Sequence, residues 1–269
     1  MSERNEYPPG VPCWVDTLQP DPQAAIKFYG DLMGWTFEGP GPGGYFVARL
    51  RGRDVAGVGS QPSPGAMPTV WNTSVSVASA DDTARKVKSA GGRVLRDAFD
   101  VPPAGRLAVL ADPAGAVFCA WEPKDRHGAQ LVNETGAWAM SALNTTDTEG
   151  AKAFYGAVFG WTADSMKMGA NEMTLFRLPG YVGGEPQQPV PRDNVAVMMA
   201  TPPDPTAGGV PPNWLVAFWI ADADAAADKT KKSGGKVLVP PFDIPRFRQA
   251  ILADPQGAVF SVAQPKRAG

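Results

Sequence analysis

The sequence predicts an α+β protein made of two tandem domains, each a pair of βαβββ modules that forms a concave sheet. One observation behind this prediction is an internal repeat, since the segment from Trp14 to Trp35 returns as Met140 to Trp161. A second is the order of apolar segments within each copy, which changes from strand spacing to helix spacing and back. Two copies in 269 residues indicate a duplicated domain of about 125 residues.

Short motifs carry the repeat, at an offset of 126 residues in the first half of a copy and of 143, then 142, in the second half. In the first half of a copy they are Asp21/Asp147, Phe28-Tyr29/Phe154-Tyr155 and Gly34-Trp35/Gly160-Trp161. In the second half they are Ala90-Gly91-Gly92/Ser233-Gly234-Gly235 and Asp112-Pro113-Ala114-Gly115/Asp254-Pro255-Gln256-Gly257. We therefore predict a first domain over residues 10–123, a linker over 124–136 and a second domain over 137–265.

The first module of each copy begins with a strand, Trp14–Leu18 in copy one, followed by a helix over Gln23–Met33 with apolar residues at helical spacing. Glycine and proline turns then separate two or three short strands. We predict these at Tyr45–Leu50 and Val55–Val58 in copy one. In copy two they are predicted at Met173–Leu178 and around Val182.

The second module repeats this order of elements. In copy one it is predicted as the strand Thr73–Ala78, a helix from Asp81 to Ala90, and the strands Arg93–Arg96, Leu107–Ala111 and Ala116–Trp121. Trp35 and Trp161 end equivalent helices, so both are expected in the core.

The composition excludes several classes of function. There are 25 basic and 27 acidic residues, spread without runs, so we expect no nucleic-acid or membrane partner. The N-terminal residues lack the apolar core of a signal peptide, and a cytoplasmic location is expected. Cys13 and Cys119 are the only cysteines, too few for a disulfide framework or a thiolate metal site.

These motifs together resemble the vicinal oxygen chelate superfamily, which includes glyoxalase I, extradiol dioxygenases and bleomycin-resistance proteins. The resemblance covers nearly the whole chain through the Asp…Phe-Tyr…Gly-Trp helix, the Gly-Gly turn and the Asp-Pro-x-Gly turn, each present twice. The chain is most similar to actinobacterial tandem glyoxalase-like proteins that carry a hydroxylase label and share the segment Asn133–Gly136. The resemblance implies small-molecule chemistry in the concave face of each sheet.

Metal-dependent members of that superfamily hold the ion with histidine and glutamate side chains on the concave face. The resemblance places these positions at Trp14, Asn72 and Cys119 in copy one, and at Met140, Leu215 and Ser261 in copy two. The only histidine, His127, lies in the linker. Glu185 lies near a fourth ligand position but is expected to be a turn residue. We therefore predict no metal and no other cofactor.

Strand alternation identifies the other residues of the two concave faces, which we call the first and second cups. The first cup is predicted to be lined by Trp14, Asp16, Leu18, Asn72, Ser74, Ser76, Val117, Cys119 and Trp121. The second cup is predicted to be lined by Met140, Ala142, Asn144, Leu215, Ala217, Trp219, Val259, Ser261 and Ala263. Because polar groups between aromatic walls are typical of a small-molecule site, the first cup is the better candidate.

Asp16 and Asn72 are the candidate catalytic residues, because a carboxylate beside two indoles would have a raised pKa and could act as acid or base. A purely structural hydrogen bond between Asp16 and Asn72 is the alternative. The candidate substrate-binding residues are Trp14, Ser74, Ser76, Arg106, Cys119 and Trp121. Arg106 is placed at the cup rim, where it could meet an anionic or carbonyl group.

The leading hypothesis is metal-independent acid–base conversion, such as enolisation or isomerisation, of an oxygenated hydrophobic metabolite in the first cup. A non-catalytic protein that sequesters an antibiotic is the alternative, and a metal-dependent glyoxalase or dioxygenase is a second alternative. The expected partner is a small molecule. The duplication is expected to form an internal pseudo-dimer, either as a monomer or within a homodimer.

Overall fold

The computed structural model of the protein describes residues 3–63, 65, 67–168, 171–183, 191–202 and 210–266. The elements of the first copy are β1 (Pro12–Gln19), α1 (Pro22–Met33), β2 (Thr36–Gly41), β3 (Tyr45–Leu50), β4 (Arg53–Ser60), β5 (Trp71–Ser76), α2 (Ala80–Ser89), β6 (Arg93–Val101), β7 (Gly105–Ala111) and β8 (Val117–Pro123). Those of the second copy are β9 (Trp138–Thr145), α3 (Thr148–Phe159), β10 (Thr162–Met168), β11 (Asn171–Arg177), β12 (Asn194–Ala200), β13 (Asn213–Trp219), α4 (Ala223–Lys232), β14 (Lys236–Ile244), β15 (Phe247–Ala253) and β16 (Val259–Pro265).

Each copy forms one eight-stranded mixed sheet, which confirms the predicted fold class. The strand order is β2-β3-β4-β1-β5-β8-β7-β6 in the first sheet and β10-β11-β12-β9-β13-β16-β15-β14 in the second. Within the first sheet, β1 pairs in parallel with β4, β5 pairs in parallel with β8, and β1 and β5 pair antiparallel at the centre. The two βαβββ modules of a copy therefore meet at the strands that begin them.

The repeated aspartates and glycines set the ends of the first helix in each copy. The Asp21 carboxylate accepts hydrogen bonds from the backbone N–H groups of Gln23 and Ala24, at 3.0 and 3.1 Å. Gly34 ends α1 with φ +76°, a left-handed conformation that costs glycine little. Asp147 and Gly160 cap α3 in the same way.

The other repeated motifs join the two copies to each other. The Tyr29 hydroxyl donates to Asp254 Oδ2 at 2.9 Å and accepts from Trp71 Nε1 at 2.9 Å. The equivalent hydrogen bonds recur with the two copies exchanged. The Tyr155 hydroxyl donates to Asp112 Oδ2 at 3.0 Å and accepts from Trp214 Nε1 at 3.0 Å. Each Phe-Tyr helix motif thus binds the Asp-Pro-x-Gly turn of the other copy, and the two domains form an internal pseudo-dimer.

Aromatic side chains fill the space around these hydrogen bonds. Phe28 of α1 contacts Phe260 of the second sheet, with ring centroids 6.3 Å apart, while Phe118 of the first sheet contacts Phe154 of α3 at 6.2 Å. Trp35 reaches across to Phe218 at 5.5 Å. These rings are at most 5% exposed, so the seam between the domains is continuous with the core. Trp35 and Trp161 are core residues, as predicted.

One predicted strand is wrong. Val182 lies outside any strand and is 64% exposed, whereas the strand that closes the first module of copy two is β12. A turn at Pro179-Gly180, with Gly180 at φ +82°, ends the apolar run soon after β11. Among the described residues, the next strand begins at Asn194.

The segment between the two sheets packs against the first copy. The Tyr7 hydroxyl donates to the backbone oxygen of Ala129 at 2.6 Å, and Leu131 is 2% exposed. The Trp35 indole donates to the Gly136 oxygen at 2.6 Å. Across the described ranges, no helix is long and apolar enough to span a membrane.

Candidate functional site

The central strands of the first sheet bring most of the predicted site residues onto one face. Trp14 lies opposite Ser74, and Asp16 lies opposite Asn72, in the antiparallel pairing of β1 with β5. The parallel pairing of β5 with β8 then places Ser74 beside Cys119, and Ser76 beside Trp121. Paired residues point to the same side of a sheet, so these side chains share the concave face.

Asp16 is the centre of a chain of side-chain hydrogen bonds. Asn72 Nδ2 donates to Asp16 Oδ1 at 3.0 Å, and the Tyr45 hydroxyl donates to Asp16 Oδ2 at 3.0 Å. The Trp14 indole in turn donates to the Tyr45 hydroxyl at 2.8 Å. Asp16, Tyr45 and Asn72 are all half-buried rather than fully enclosed.

The environment of Asp16 favours its protonated form. Burial raises the pKa of the Asp16 carboxyl above its ordinary value of 3.8, and the hydrogen bonds from Asn72 and Tyr45 offset part of that shift. Burial and the nearby Asp16 charge also raise the pKa of Tyr45 well above its ordinary value. The tyrosine therefore keeps its proton as a donor, while the carboxyl group can exchange one.

Tyr45 is a site residue that the sequence analysis missed, and two glycines of β4 make its position possible. A Cβ atom at Gly57 would lie 1.8 Å from the Tyr45 hydroxyl oxygen, and one at Gly59 would lie 2.9 Å from a carbon of its ring. Tyr45 therefore lies across the bare backbone of β4. The Gly-Val-Gly spacing in that strand is the signal that could have revealed the close approach.

The small polar residues form the floor of the cup. Ser74 and Cys119 are 4% and 5% exposed. The pKa of the Cys119 thiol is raised, mainly by burial and to a smaller extent by the nearby charge of Asp16. Ser76 is 1% exposed and its hydroxyl donates to the Tyr7 backbone oxygen at 2.9 Å. Ser76 is thus occupied in holding the N-terminal segment, and the Cys119 thiol is neutral.

Trp121 and an arginine from the connecting segment form one wall. The half-buried Trp121 indole donates to the Arg126 backbone oxygen at 2.8 Å, and the Arg126 guanidinium pairs with Asp54. The positive charge of Arg126 acts on Tyr45, where it lowers the tyrosine pKa. Arg126 was not singled out from the sequence, because nothing in its local pattern marks a cup residue.

Arg106 is not part of the cup, contrary to the prediction. It lies opposite Glu122 in the pairing of β7 with β8, whereas Trp121, which faces the cup, lies opposite Leu107. The Arg106 guanidinium binds Asp81 of α2, with Nε–Oδ2 at 2.9 Å, and the Ala98 oxygen at 2.9 Å. Arg248 binds Asp224 of α4 in the same manner, so both arginines hold a helix against its sheet.

The second cup has apolar side chains where the first has polar ones. Asp16 and Asn72 correspond to Ala142 and Leu215, which lie opposite each other in the pairing of β13 with β9. Met140 and Ala217 replace Trp14 and Ser74 in the same register. Tyr45 and Gly57 correspond by register to Met173 and Val197. Ser261 remains, but its hydroxyl is bound by Gln249 Nε2 at 2.7 Å.

The donor atoms at the predicted metal positions do not fit a metal ion. The first cup offers an indole, an amide and a neutral thiol there, and both oxygens of its one nearby carboxylate, Asp16, already accept hydrogen bonds. No cluster of three His, Cys, Asp or Glu side chains is found in the parts of the chain that the structure describes. Glu185 lies outside the described residues.

Known proteins with similar sequences place the chain in a family. Residues 14–121 match the family described as "Glyoxalase-like domain". Residues 137–262 match the family described as "Glyoxalase/Bleomycin resistance protein/Dioxygenase superfamily". The chain is 41% identical over 274 residues to "Putative glyoxylase CFP32" of Mycobacterium tuberculosis, covering 98% of both proteins. It is 33% identical over 275 residues to "Anthracycline biosynthesis protein DnrV" of Streptomyces peucetius, covering 96% of the chain and 94% of that protein.

Solved structures show the same fold at low sequence identity. The Mn(II)-bound glyoxalase from Novosphingobium aromaticivorans has a TM-score of 0.62 and 15% identity, covering 95% of this chain and 82% of that one. The 2,3-dioxygenase LapB from Pseudomonas sp. KL28 has a TM-score of 0.60 and 12% identity, covering 94% and 91%. With the tandem βαβββ sheets and the full-length relatives, the chain belongs to the glyoxalase, bleomycin resistance protein and dioxygenase superfamily.

Proposed function

We propose that the first cup binds an oxygenated hydrophobic small molecule and moves a proton on it, with Asp16 as base and then acid and without a protein-bound metal. The observation that carries this proposal is the chain of hydrogen bonds from Trp14 through Tyr45 to Asp16 and Asn72. A half-buried carboxyl whose pKa is raised by burial is suited to accept and return a proton.

In the proposed reaction, a substrate with a carbonyl group places its adjacent C–H bond against Asp16. The C–H bond breaks, its electron pair forms an enolate, and the proton binds a carboxylate oxygen of Asp16. The Asn72 amide has a second N–H that can hydrogen-bond to the enolate oxygen. Return of the proton to the same or another carbon gives an enolised or isomerised product, and no oxidant is needed.

The relatives support this substrate class at a coarse level. The name of CFP32 refers to glyoxylase chemistry, and the names of DnrV and DauV refer to anthracycline biosynthesis. Both are in keeping with an oxygenated organic substrate, and the anthracycline names favour one from specialised metabolism. The walls formed by Tyr45 and Trp121 suit an aromatic or other flat apolar surface.

Deuterium exchange tests the proposed chemistry directly. We would incubate the full-length protein in D2O with hydroxylated tetracyclic ketones and measure deuterium uptake next to the carbonyl by mass spectrometry. Asp16→Asn should lower the exchange rate about 100-fold or more while the ligand's Kd changes little. The matched control is Ala142→Asn, which puts the same amide at the corresponding position of the second cup and should leave exchange unchanged.

Metal independence has its own test. Elemental analysis of the purified protein should find no stoichiometric Fe, Zn, Ni or Mn, because the donors at Trp14, Asn72 and Cys119 suit none of them. About one bound metal ion per chain, removed by a chelator together with the exchange activity, would show that the proposal of metal-free chemistry is wrong.

A sequestering protein is the second candidate function. The specific observation in its favour is that the Asp16 carboxylate lies among aromatic side chains, an arrangement that can bind a cationic ligand. In that case Asp16→Asn would weaken binding of a cationic aromatic drug, and the drug would be recovered unaltered after long incubation. A tetracyclic ketone that gains deuterium only in the presence of the wild-type protein would instead favour the enzyme.

A further inference from the structure

A cleft lies away from the first cup, between the N-terminal segment and one end of the second sheet. Its walls come from three parts of the chain: Arg4 and Tyr7 near the N-terminus, Trp138 and Met140 of β9, and Tyr181 and Arg192 between β11 and β12. The cleft is open to solvent at its mouth. Since both copies contribute, the cleft exists only in the assembled pseudo-dimer.

Two arginines are the charged side chains among the described residues that line the cleft. Arg4 and Arg192 both line it, and no aspartate or glutamate is found among its described lining residues. Arg4 donates to the backbone oxygen of Glu3 at 3.0 Å, and Arg192 donates to the backbone oxygen of Gly183 at 3.4 Å. Within the described residues, the nearby carboxylates of Glu3 and Asp193 pair with other arginines, Arg53 and Arg177, rather than with Arg4 or Arg192.

Trp138 lines the cleft and carries an unsatisfied hydrogen-bond donor. Its side chain is only 5% exposed, and its indole Nε1 is buried with no hydrogen-bond partner among the residues that the structure describes. Buried N–H groups are normally paired with protein, water or ligand. With Tyr7 and Tyr181, the Trp138 ring also gives the cleft aromatic walls.

We propose that this cleft is a second small-molecule site, specific for a flat aromatic or hydrophobic molecule that carries one carboxylate or a similar anionic group. The anion would bind Arg4 and Arg192, because a guanidinium group matches a carboxylate with two parallel hydrogen bonds. The Trp138 N–H would donate to an oxygen of the same ligand, and the tyrosine rings would contact its apolar face. This site is separate from the first cup and does not depend on the proposed reaction there.

The test uses 2-naphthoate as the probe and 2-naphthamide as its uncharged counterpart, each titrated into the full-length protein by calorimetry. Naphthoate should bind about tenfold more tightly than naphthamide or better, as a charge-assisted hydrogen bond provides. Arg4→Gln and Arg192→Gln should each weaken naphthoate about tenfold and leave naphthamide nearly unchanged. Trp138→Phe should weaken both ligands several-fold through the lost donor, on the order of one hydrogen bond.

Two control variants make the outcome specific. Arg85→Gln removes an exposed arginine on α2 that pairs with Asp82, and it should not change naphthoate binding. Asp16→Asn should not change it either, which separates this site from the first cup. Equal affinities for naphthoate and naphthamide, or wild-type affinity in both Arg4→Gln and Arg192→Gln, would overturn the proposal. So would the absence of naphthoate binding up to about 10 mM.

Discussion

The two cups have the same strand order and register but opposite chemistry. In the first, the facing pair Asp16 and Asn72 is charged and polar, and in the second the facing pair is Ala142 and Leu215. The first cup has Tyr45 lying over Gly57, whereas Val197 of the second cup adds a side chain at the position of that glycine. The comparison teaches that one scaffold can keep its backbone while the facing pair on its central strands changes from hydrogen-bonding to apolar side chains.

The repeated residues teach the complementary lesson. Tyr29 and Tyr155, Asp112 and Asp254, and the paired tryptophans occur in both copies and build the seam between them. The candidate site residues on the central strands of the first cup, by contrast, differ from their counterparts in the second cup. The repeated residues thus mark the packing between the copies.

The largest effect on deuterium exchange is expected when Gly57 of the first cup is replaced by valine, the residue at the corresponding position of the second cup. Gly57→Val should displace the Tyr45 ring, because even a Cβ atom there would lie 1.8 Å from the tyrosine oxygen. The chain from Trp14 to Asp16 would break, and deuterium exchange should fall about 100-fold or more. The fold should lose about 1–3 kcal/mol of stability through overpacking.

The reciprocal change, Val197→Gly, is the matched control. It should leave exchange in the first cup intact and cost stability only through lost burial in the second sheet. If Gly57→Val kept the wild-type exchange rate while the protein stayed folded, the Tyr45 position would be irrelevant to the chemistry, and the contrast between the cups would lose its functional meaning.

Much of this contrast could be predicted from the sequence, because strand alternation is a strict geometric rule. It placed Trp14, Asp16, Asn72 and Ser74 on one face, as the strand register confirms. Tyr45 was missed because alternation on β3 only becomes informative once its partner strand and the glycines of β4 are known. Arg106 was misplaced for a related reason, since its face depends on the pairing of β7 with β8.

The next largest effect is expected on the free energy of unfolding when the hydrogen bonds of the seam between the copies are removed. It should differ slightly between the two copies. Tyr155→Phe leaves Asp112 Oδ2 without its partner, whereas after Tyr29→Phe Asp254 Oδ2 still accepts from Gln19 Nε2 at 2.8 Å. Both variants leave a buried indole N–H without its hydrogen-bond partner. Each should therefore lower the free energy of unfolding by about 1–3 kcal/mol, and Tyr155→Phe should lower it more. Urea unfolding would measure both.

A single cooperative transition is also expected in these experiments, since the core is continuous across the seam. Two well-separated transitions, or no loss of stability in either variant, would mean that the domains are stabilised independently and that the repeated tyrosines serve another purpose.

The pH dependence of the first cup should be smaller but has a definite sign. Burial raises the folded pKa of Asp16 above its ordinary value of 3.8, so the folded chain holds a proton that the unfolded chain has lost. The resulting stabilisation is present below that value and disappears as pH rises through the raised pKa. Asp16→Asn should therefore be more stable than wild type above this range, measured by thermal unfolding across pH.

Tyr45→Phe sharpens the same test. The tyrosine hydrogen bond lowers the Asp16 pKa, so its removal should move the rising limb of the exchange rate to higher pH. A limb that stayed in place, or moved to lower pH, would show that the observed titration does not belong to Asp16.

The smallest expected effect concerns the two cysteines and separates the floor of the first cup from its reactive centre. Cys13 is fully buried and Cys119 is 5% exposed, and burial raises both thiol pKa values. Thiolates are the reactive form, so a disulfide reagent at pH 8 should leave both groups unmodified in the folded protein and modify both after unfolding in urea. Cys119→Ser should also keep wild-type deuterium exchange, since a neutral thiol on the floor takes no proton. Rapid modification of Cys119 in the native state, with loss of exchange, would instead make the thiol part of the chemistry and would give the first cup a nucleophile that the second lacks.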